Sequence, residues 1–264
     1  MENSKIPQWL RNKKIIIPIA SILLITLLSV FVVKILEADG VRVTRKYNKA
    51  IEEYNLLVEE YNHILDNCSI DNLSGLFKYE KLETVSEKTS DIKKSLASGN
   101  TVKKIKSDTK TIKDMTDELE QDIKIVNQIV NPTEEWVIKR LSNIENITDK
   151  AGVTSKTDKN GMLGKEGGYT SCVYFGLSTI DASHIEGEDI VAKGADAGGA
   201  IEVYVTVEDA EARCEYLAEY DNTLLYSGSY AIVGTMVIRT SYKLTPEEQL
   251  DMTNRITMEF TKLY

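Results

Sequence analysis

The stretch AIEVYVTVEDAEARCEYLA, residues 200–218, changes its hydrophobic period once, and that change decides the fold class. From Ala200 to Thr206, Ile201, Val203 and Val205 alternate with Glu202 and Tyr204, the period of a strand. From Thr206 onward, Val207, Ala210, Cys214 and Leu217 fall at helical spacing. Thr206-Val207-Glu208-Asp209 opens that helix with two acids in its first turn, where they complement the helix dipole. A strand that runs straight into an amphipathic helix predicts an α+β domain.

The flanking sequence extends this reading. Pro132 marks a boundary, and Thr133-Glu134-Glu135-Trp136 starts a helix with Val137, Leu141 and Ile144 on one face. Tyr169–Leu177, YTSCVYFGL, reads as a strand. Tyr230–Ser241, YAIVGTMVIRTS, is apolar on both faces and reads as one central strand, with Gly234 as a bulge or a point of close approach. Thr245-Pro246-Glu247-Glu248 is a strong helix start, combining a capping threonine, a proline at the first position and a glutamate three residues on. The final helix buries Leu250, Ile256 and Phe260. The order α-β-β-α-β-α predicts a small sheet with helices on one face, and a ferredoxin-like arrangement is compatible with it.

Charge divides the chain after its first segment. Residues 37–131 carry 18 acids and 15 bases, a net of −3, whereas residues 132–264 carry 22 acids and 12 bases, a net of −10. The first of these regions reads as a helical stalk. Tyr47, Ile51, Tyr54, Val58, Tyr61, Leu65 and Cys68 form an a/d seam at alternating spacings of four and three. A weaker helix carries Leu82, Val85, Ile92 and Leu96, and Ser98-Gly99-Asn100 ends it. Thr101 then caps a helix whose seam runs Val102, Ile105, Thr109, Ile112, Thr116, Leu119, Ile123, Val126 and Val130. Such seams must be covered, either by an antiparallel helical hairpin or bundle within one chain or by a coiled coil between two. Tyrosine and threonine at seam positions and the short breaks favour the bundle.

Residues 15–33, IIIPIASILLITLLSVFVV, form a run of 19 without a charge. Its fourteen Ile, Leu, Val and Phe residues favour bilayer insertion by about 4–8 kcal/mol, and about 20 helical residues span a hydrocarbon core. The run is longer than a signal-peptide core and leads into Lys34-Ile35-Leu36-Glu37, with no small-residue cleavage pattern. The expected organisation is therefore a basic cytoplasmic tail over 1–14, a transmembrane anchor over 15–36, the stalk over 37–131 and an extracellular domain over 132–264. Lys13-Lys14 against the helix favours a cytoplasmic N-terminus, although Arg42, Arg45, Lys46 and Lys49 follow it.

The search for chemistry turns up little. Lys193-Gly-Ala-Asp-Ala-Gly-Gly199 matches no phosphate-binding loop and precedes a strand. It reads as a loop packed on the sheet, or as a binding rim built from Lys193, Asp196, Gly198, Gly199 and their amides. Asn160-Gly161 forms a turn beside it as a further rim candidate, since Asp158-x-Asn160-Gly161 lacks the remaining ligands of a calcium loop. His184 lies among Asp181, Glu186, Glu188 and Asp189 without fixed ligand spacing, so no metal site and no cofactor are expected. Cys172 and Cys214 are candidates for a disulfide outside the cell, which leaves Cys68 odd. The alternative is that they are small buried residues. No nucleophile has a recognisable histidine partner, so no enzyme is expected. The acidic outer region repels nucleic acid.

Three strings, DKNGMLGKEGGYTSCVYF (158–175), KGADAGGAIEVYVTVEDAEARCEYLAEYD (193–221) and YSGSYAIVGTMVIRTSYKLT (226–245), carry a resemblance. Residues 132–262 resemble an uncharacterised domain of Gram-positive bacterial membrane-anchored and surface proteins, some labelled adhesin-like. The resemblance implies an envelope setting and brings no catalytic or binding residue with it. Position 172 is unremarkable in those relatives, which weighs against the disulfide. The expected function is a single-pass, non-catalytic binding protein of the envelope. Its expected partners are the membrane, an envelope protein or cell-wall component, and a second copy through the stalk. Two alternatives are a structural component of an envelope assembly and an enzyme with an unrecognised site.

Overall fold

The structure, a computed structural model, describes residues 13–70, 80–85, 99–224 and 226–264, with side chains from residue 24 onward except at 99–100. Most of the basic tail and the side chains of residues 15–23 thus lie outside the described residues, as do Ile92, Leu96 and Ser98. Among the described residues no helix is long and apolar enough to cross a membrane. Two compact units are present, one of residues up to 56 with 84–117, the other of residues 57–83 with 118–264.

The first unit is built from the N-terminal parts of α1 (Lys13–Leu65) and α2 (Gly99–Gln128). The a/d seam is buried within one chain here: Val43, Tyr47, Ala50, Ile51 and Tyr54 from α1, and Val102, Ile105 and Ile112 from α2. Glu52 and Glu53 stay exposed. The helix expected through Leu82 and Val85 is absent there, since residues 80–85 are not helical. The Asn55 side chain instead brackets Val85, donating to its carbonyl at 2.8 Å and accepting from its amide at 2.8 Å. A primary amide thus imitates one rung of a ladder. Gly99 and Asn100, expected in the break, already belong to α2.

The second unit is a six-stranded antiparallel sheet with helices. Its strands are β1 (Ser69–Ile70), β2 (Ile147–Gly152), β3 (Ser171–Leu177), β4 (Gly198–Val203), β5 (Tyr230–Gly234) and β6 (Met236–Thr240), in the order β1-β5-β6-β4-β3-β2. The helices are α3 (Glu134–Leu141), α4 (Ile190–Lys193), α5 (Val207–Ala218) and α6 (Pro246–Thr261). The expected caps are formed: Thr206 accepts from the Asp209 amide, and Thr245 and Glu248 form a reciprocal capping box. In this unit Asn62 brackets Leu82 as Asn55 brackets Val85, at 2.8 and 2.9 Å.

Helices lie on both faces of the sheet, not on one. Every residue of β3 and β4 is buried, which requires cover on both sides. Cys172, Tyr174, Ala200, Tyr204 and Val237 pack with Val207, Ala210 and Leu217 of α5. The residues of opposite parity, among them Val173, Phe175, Ile201 and Ile238, are buried too. α3 and α6, which contact the sheet, bury Val137, Leu141, Met252, Ile256 and Phe260.

The run expected as one central strand is a hairpin. Val233 pairs with Met236 around Gly234-Thr235, and Gly234 has φ +66°. Glycine at the first central position is what a two-residue II′ turn requires. Two central strands joined by so short a turn have the same two-faced apolar pattern as one long strand.

Candidate binding cleft

Glu202 stands near the end of β4, opposite Cys172 on one side and Val237 on the other, and is wholly buried. A carboxylate tolerates that place only if its charge is paired. Arg213, one turn and a half into α5, donates from Nε at 2.7 Å and from Nη2 at 3.0 Å. Arg239 of β6 donates from Nη1 at 2.9 Å, and the Tyr204 hydroxyl adds a bond of 3.0 Å. Burial pushes the Glu202 carboxyl up, but the two guanidinium groups outweigh it and hold the carboxyl below its ordinary 4.5. Arg239 also donates from Nη2 to Ser227 Oγ at 2.9 Å. Two guanidinium groups thus share one carboxylate.

Above this floor opens a cleft of about 750 Å³, with Lys159, Asn160, Arg213, Tyr216, Tyr220 and Arg239 in its lining. Asp158 shapes the loop that forms one wall. Its carboxylate accepts from the Asn160 amide at 3.1 Å, from the Leu163 amide at 2.8 Å and, in a short bond, from the Tyr169 hydroxyl. Burial works against ionisation of Asp158, yet these bonds prevail and depress its pKa. The Tyr169 hydroxyl, buried and bonded to that carboxylate, is pushed well above its ordinary range. Lys159 anchors the loop by donating to the Ala192 carbonyl at 2.8 Å. The opposite wall is aromatic. Tyr216 and Tyr220, one turn apart on the chain, meet edge to face at 5.3 Å with their hydroxyls 3.0 Å apart. Tyr216 is 49% exposed, and the Arg213 guanidinium lies 5.3 Å from its ring.

The rim expected from the sequence is only partly assembled here. Asn160 is exposed, lines the cleft and donates to the Tyr169 hydroxyl at 3.4 Å. Gly161 completes the adjoining turn at φ +64°. Lys193 ends α4 and Asp196 sits in the following 3₁₀ turn, and neither lines the cleft. Gly198 and Gly199 belong to no rim. Both are buried in β4, where a Cβ would lie 2.4 Å from the Phe175 carbonyl oxygen and 2.2 Å from that of Arg239 respectively. Their role is close approach of strands.

Of the acids around His184, the two aspartates act as caps. Asp181 accepts from the Ser183 amide at 3.0 Å, and Asp189 from the Ala192 amide at 2.7 Å. Among the described residues no group of three or more His, Cys, Asp or Glu is placed to hold a metal ion. The disulfide considered for Cys172 and Cys214 is not formed, and both are thiols. Cys172 is fully buried, and burial raises its pKa far above the usual thiol range. Cys68 is buried as well, its thiol pushed up to about 12 by burial, which makes it a poor link to a second chain.

Sequence reasoning missed Glu202, Arg213, Arg239, Tyr216 and Tyr220. The one available signal was a strand whose alternation sets Glu202 on the same face as Tyr204, followed 11 residues later by an arginine on the covering helix. No protein-family model, no curated protein and no solved structure matches the chain, so the cleft stands on its own geometry.

Proposed function

We propose that the chain is a single-pass, membrane-anchored envelope protein whose outer α+β domain binds a partner non-catalytically through the Arg213–Arg239 cleft. In this reading residues 1–14 are a cytoplasmic tail, 15–36 the anchor, 37–131 the stalk and 132–264 the outer domain. The observation that carries it is the exposure of α1 over its apolar stretch. Leu24, Ile25, Leu27, Leu28, Val30, Phe31, Val32, Val33 and Ile35 are all 48–65% exposed, on every side of the helix. A helix apolar all round needs cover from protein or lipid, and the charge-free run continues back to residue 15. The resemblance of residues 132–262 to surface proteins of Gram-positive bacteria points the same way.

Two features favour binding over the alternatives. The α1 seam through Tyr54 is buried within one chain, which leaves little apolar surface there for a second copy. In the cleft Glu202 is held by two arginines and Asp209 by Thr206 at 2.8 Å, so neither acid is poised to move a proton. For the finer fold we favour a variant of the ferredoxin-like arrangement, because β4, α5, β5 and β6 follow its split β-α-β path.

Protease shaving of intact cells, read with an antibody to the C-terminus, tests this topology. Loss of the epitope without lysis is expected. Protection until lysis would place residues 37–264 inside and end the envelope reading.

A further inference from the structure

The reading of the outer domain as a binding module leaves its ligand open, and the cleft's donors and walls narrow the choice. Arg213 engages Glu202 through Nε and Nη2, which leaves Nη1 without a protein partner among the described residues. Lys159 has three donors and uses one of them on Ala192. Arg213, Arg239 and Lys159 stand here against Glu202 beneath the arginines, Asp209 on the lining and Asp158 in the Asn160 loop, three charges of each sign. The cleft is therefore neutral in a region whose total is −10. Cationic donors gathered in a neutral cleft admit an anion where the rest of the domain repels one.

The Arg213 Nη1 and the two unused Lys159 donors suit one small anionic group. The two oxygens of a carboxylate suit a guanidinium edge and an ammonium together. Beside them Tyr216 presents a half-exposed ring braced by Tyr220, a surface for the flat face of another ring. The volume of about 750 Å³ lies in the range of small-molecule sites. On the premise that the domain binds through this cleft, we infer that its ligand is a ring-bearing monocarboxylate. Arg213 and Lys159 take the carboxylate, and Tyr216 takes the ring. Such a group comes either from a sugar acid or from an aromatic acid.

Calorimetric titration of the full chain in detergent micelles tests the inference with glucuronate, benzoate, glucose and inorganic phosphate. At least one of the two carboxylates should bind about tenfold more tightly than glucose and phosphate. Binding of glucuronate with benzoate silent assigns the sugar acid, and the reverse assigns the aromatic acid. Lys159→Gln and Tyr216→Ala, both at partly exposed positions, should each weaken that binding about tenfold with the circular dichroism spectrum unchanged. Silence of both carboxylates, equal binding of phosphate, or parental affinity in both variants overturns it. The titration does not depend on which side of the membrane holds the domain, so its failure and a failed shaving result are separable.

Discussion

The two faces of the central sheet are drawn from alternate residues of the same strands, yet they are made of different material. On one face Val173, Phe175, Ile201 and Ile238 are buried, as are Ile256 and Phe260 of α6, and the buried Thr257 and Thr261 hydroxyls bond back to carbonyls of their own helix. On the other, Glu202, Tyr204 and Arg239 meet Arg213 of α5 in a polar network that borders the cleft. Apolar burial stabilises at roughly 25 cal/mol per Å², whereas a buried ion pair often only breaks even with an apolar replacement. The fold thus gets its stability from apolar residues, which the second face also has in the cluster of Tyr174, Ala200 and Val237 with α5. The polar face holds the cleft, and its arginines are better explained by what they offer a ligand than by what they add to the fold.

The largest break in this comparison should come from Glu202→Gln. Two guanidinium groups would then face a neutral amide, and chemical denaturation should show a loss of about 3–5 kcal/mol. The triple replacement Glu202→Leu, Arg213→Met and Arg239→Met should recover most of that loss while removing the cleft's arginines. A triple variant as unstable as the single one would mean the network is there for stability. Acid titration sharpens the same point. Glu202 is depressed below 4.5, so its contribution is complete above that value and is lost as pH falls through the folded value. The Glu202→Gln variant should therefore lose less stability than the parent on acidification.

Smaller effects follow in order. Gly199→Ala should cost about 1–3 kcal/mol through overpacking, because the new methyl meets the Arg239 carbonyl and the Phe175 ring. Its extended neighbour Gly198, at φ 174°, is likewise limited by space and not by backbone angle. On the apolar face Ile256→Val should cost about 0.5–1.5 kcal/mol by thermal denaturation, with no pH dependence. A pH-dependent loss at Ile256 would blur the division between the faces.

Local signals carried much of the fold. The Thr206 and Thr245 helix starts, the β3 and β4 strands and the seam of α1 were all legible, because caps and periodicity are properties of neighbours in sequence. β2 was not, since ITDKAG has too few apolar residues to mark a strand and owes its place to pairing with β3. The β5–β6 hairpin hid behind Gly234-Thr235, which lacks the Asn-Gly or Asp-Gly signature. Of the cleft's lining, only Asn160 was among the binding residues singled out in the sequence, with Gly161 in the adjoining turn. Glu202 and Arg239 lie 37 residues apart, and only the register of β4 against β6 brings them together. A binding site made by strand register leaves no motif.

Thr235, the second residue of that turn, uses all three of its polar groups on other segments. Its amide donates to Ile129 at 3.1 Å, its hydroxyl accepts from the Asn131 amide at 2.7 Å, and its carbonyl accepts from the Tyr204 amide at 2.9 Å. It therefore rivets the exit of α2 to the end of β4, at the edge of the strand that carries Glu202. A mechanical load on the last turns of α2 enters the sheet at this rivet, as shear on a few parallel bonds. In force spectroscopy Thr235→Val, which removes only the hydroxyl bond, should lower the rupture force of this junction. An unchanged rupture force would show that the load travels by another route.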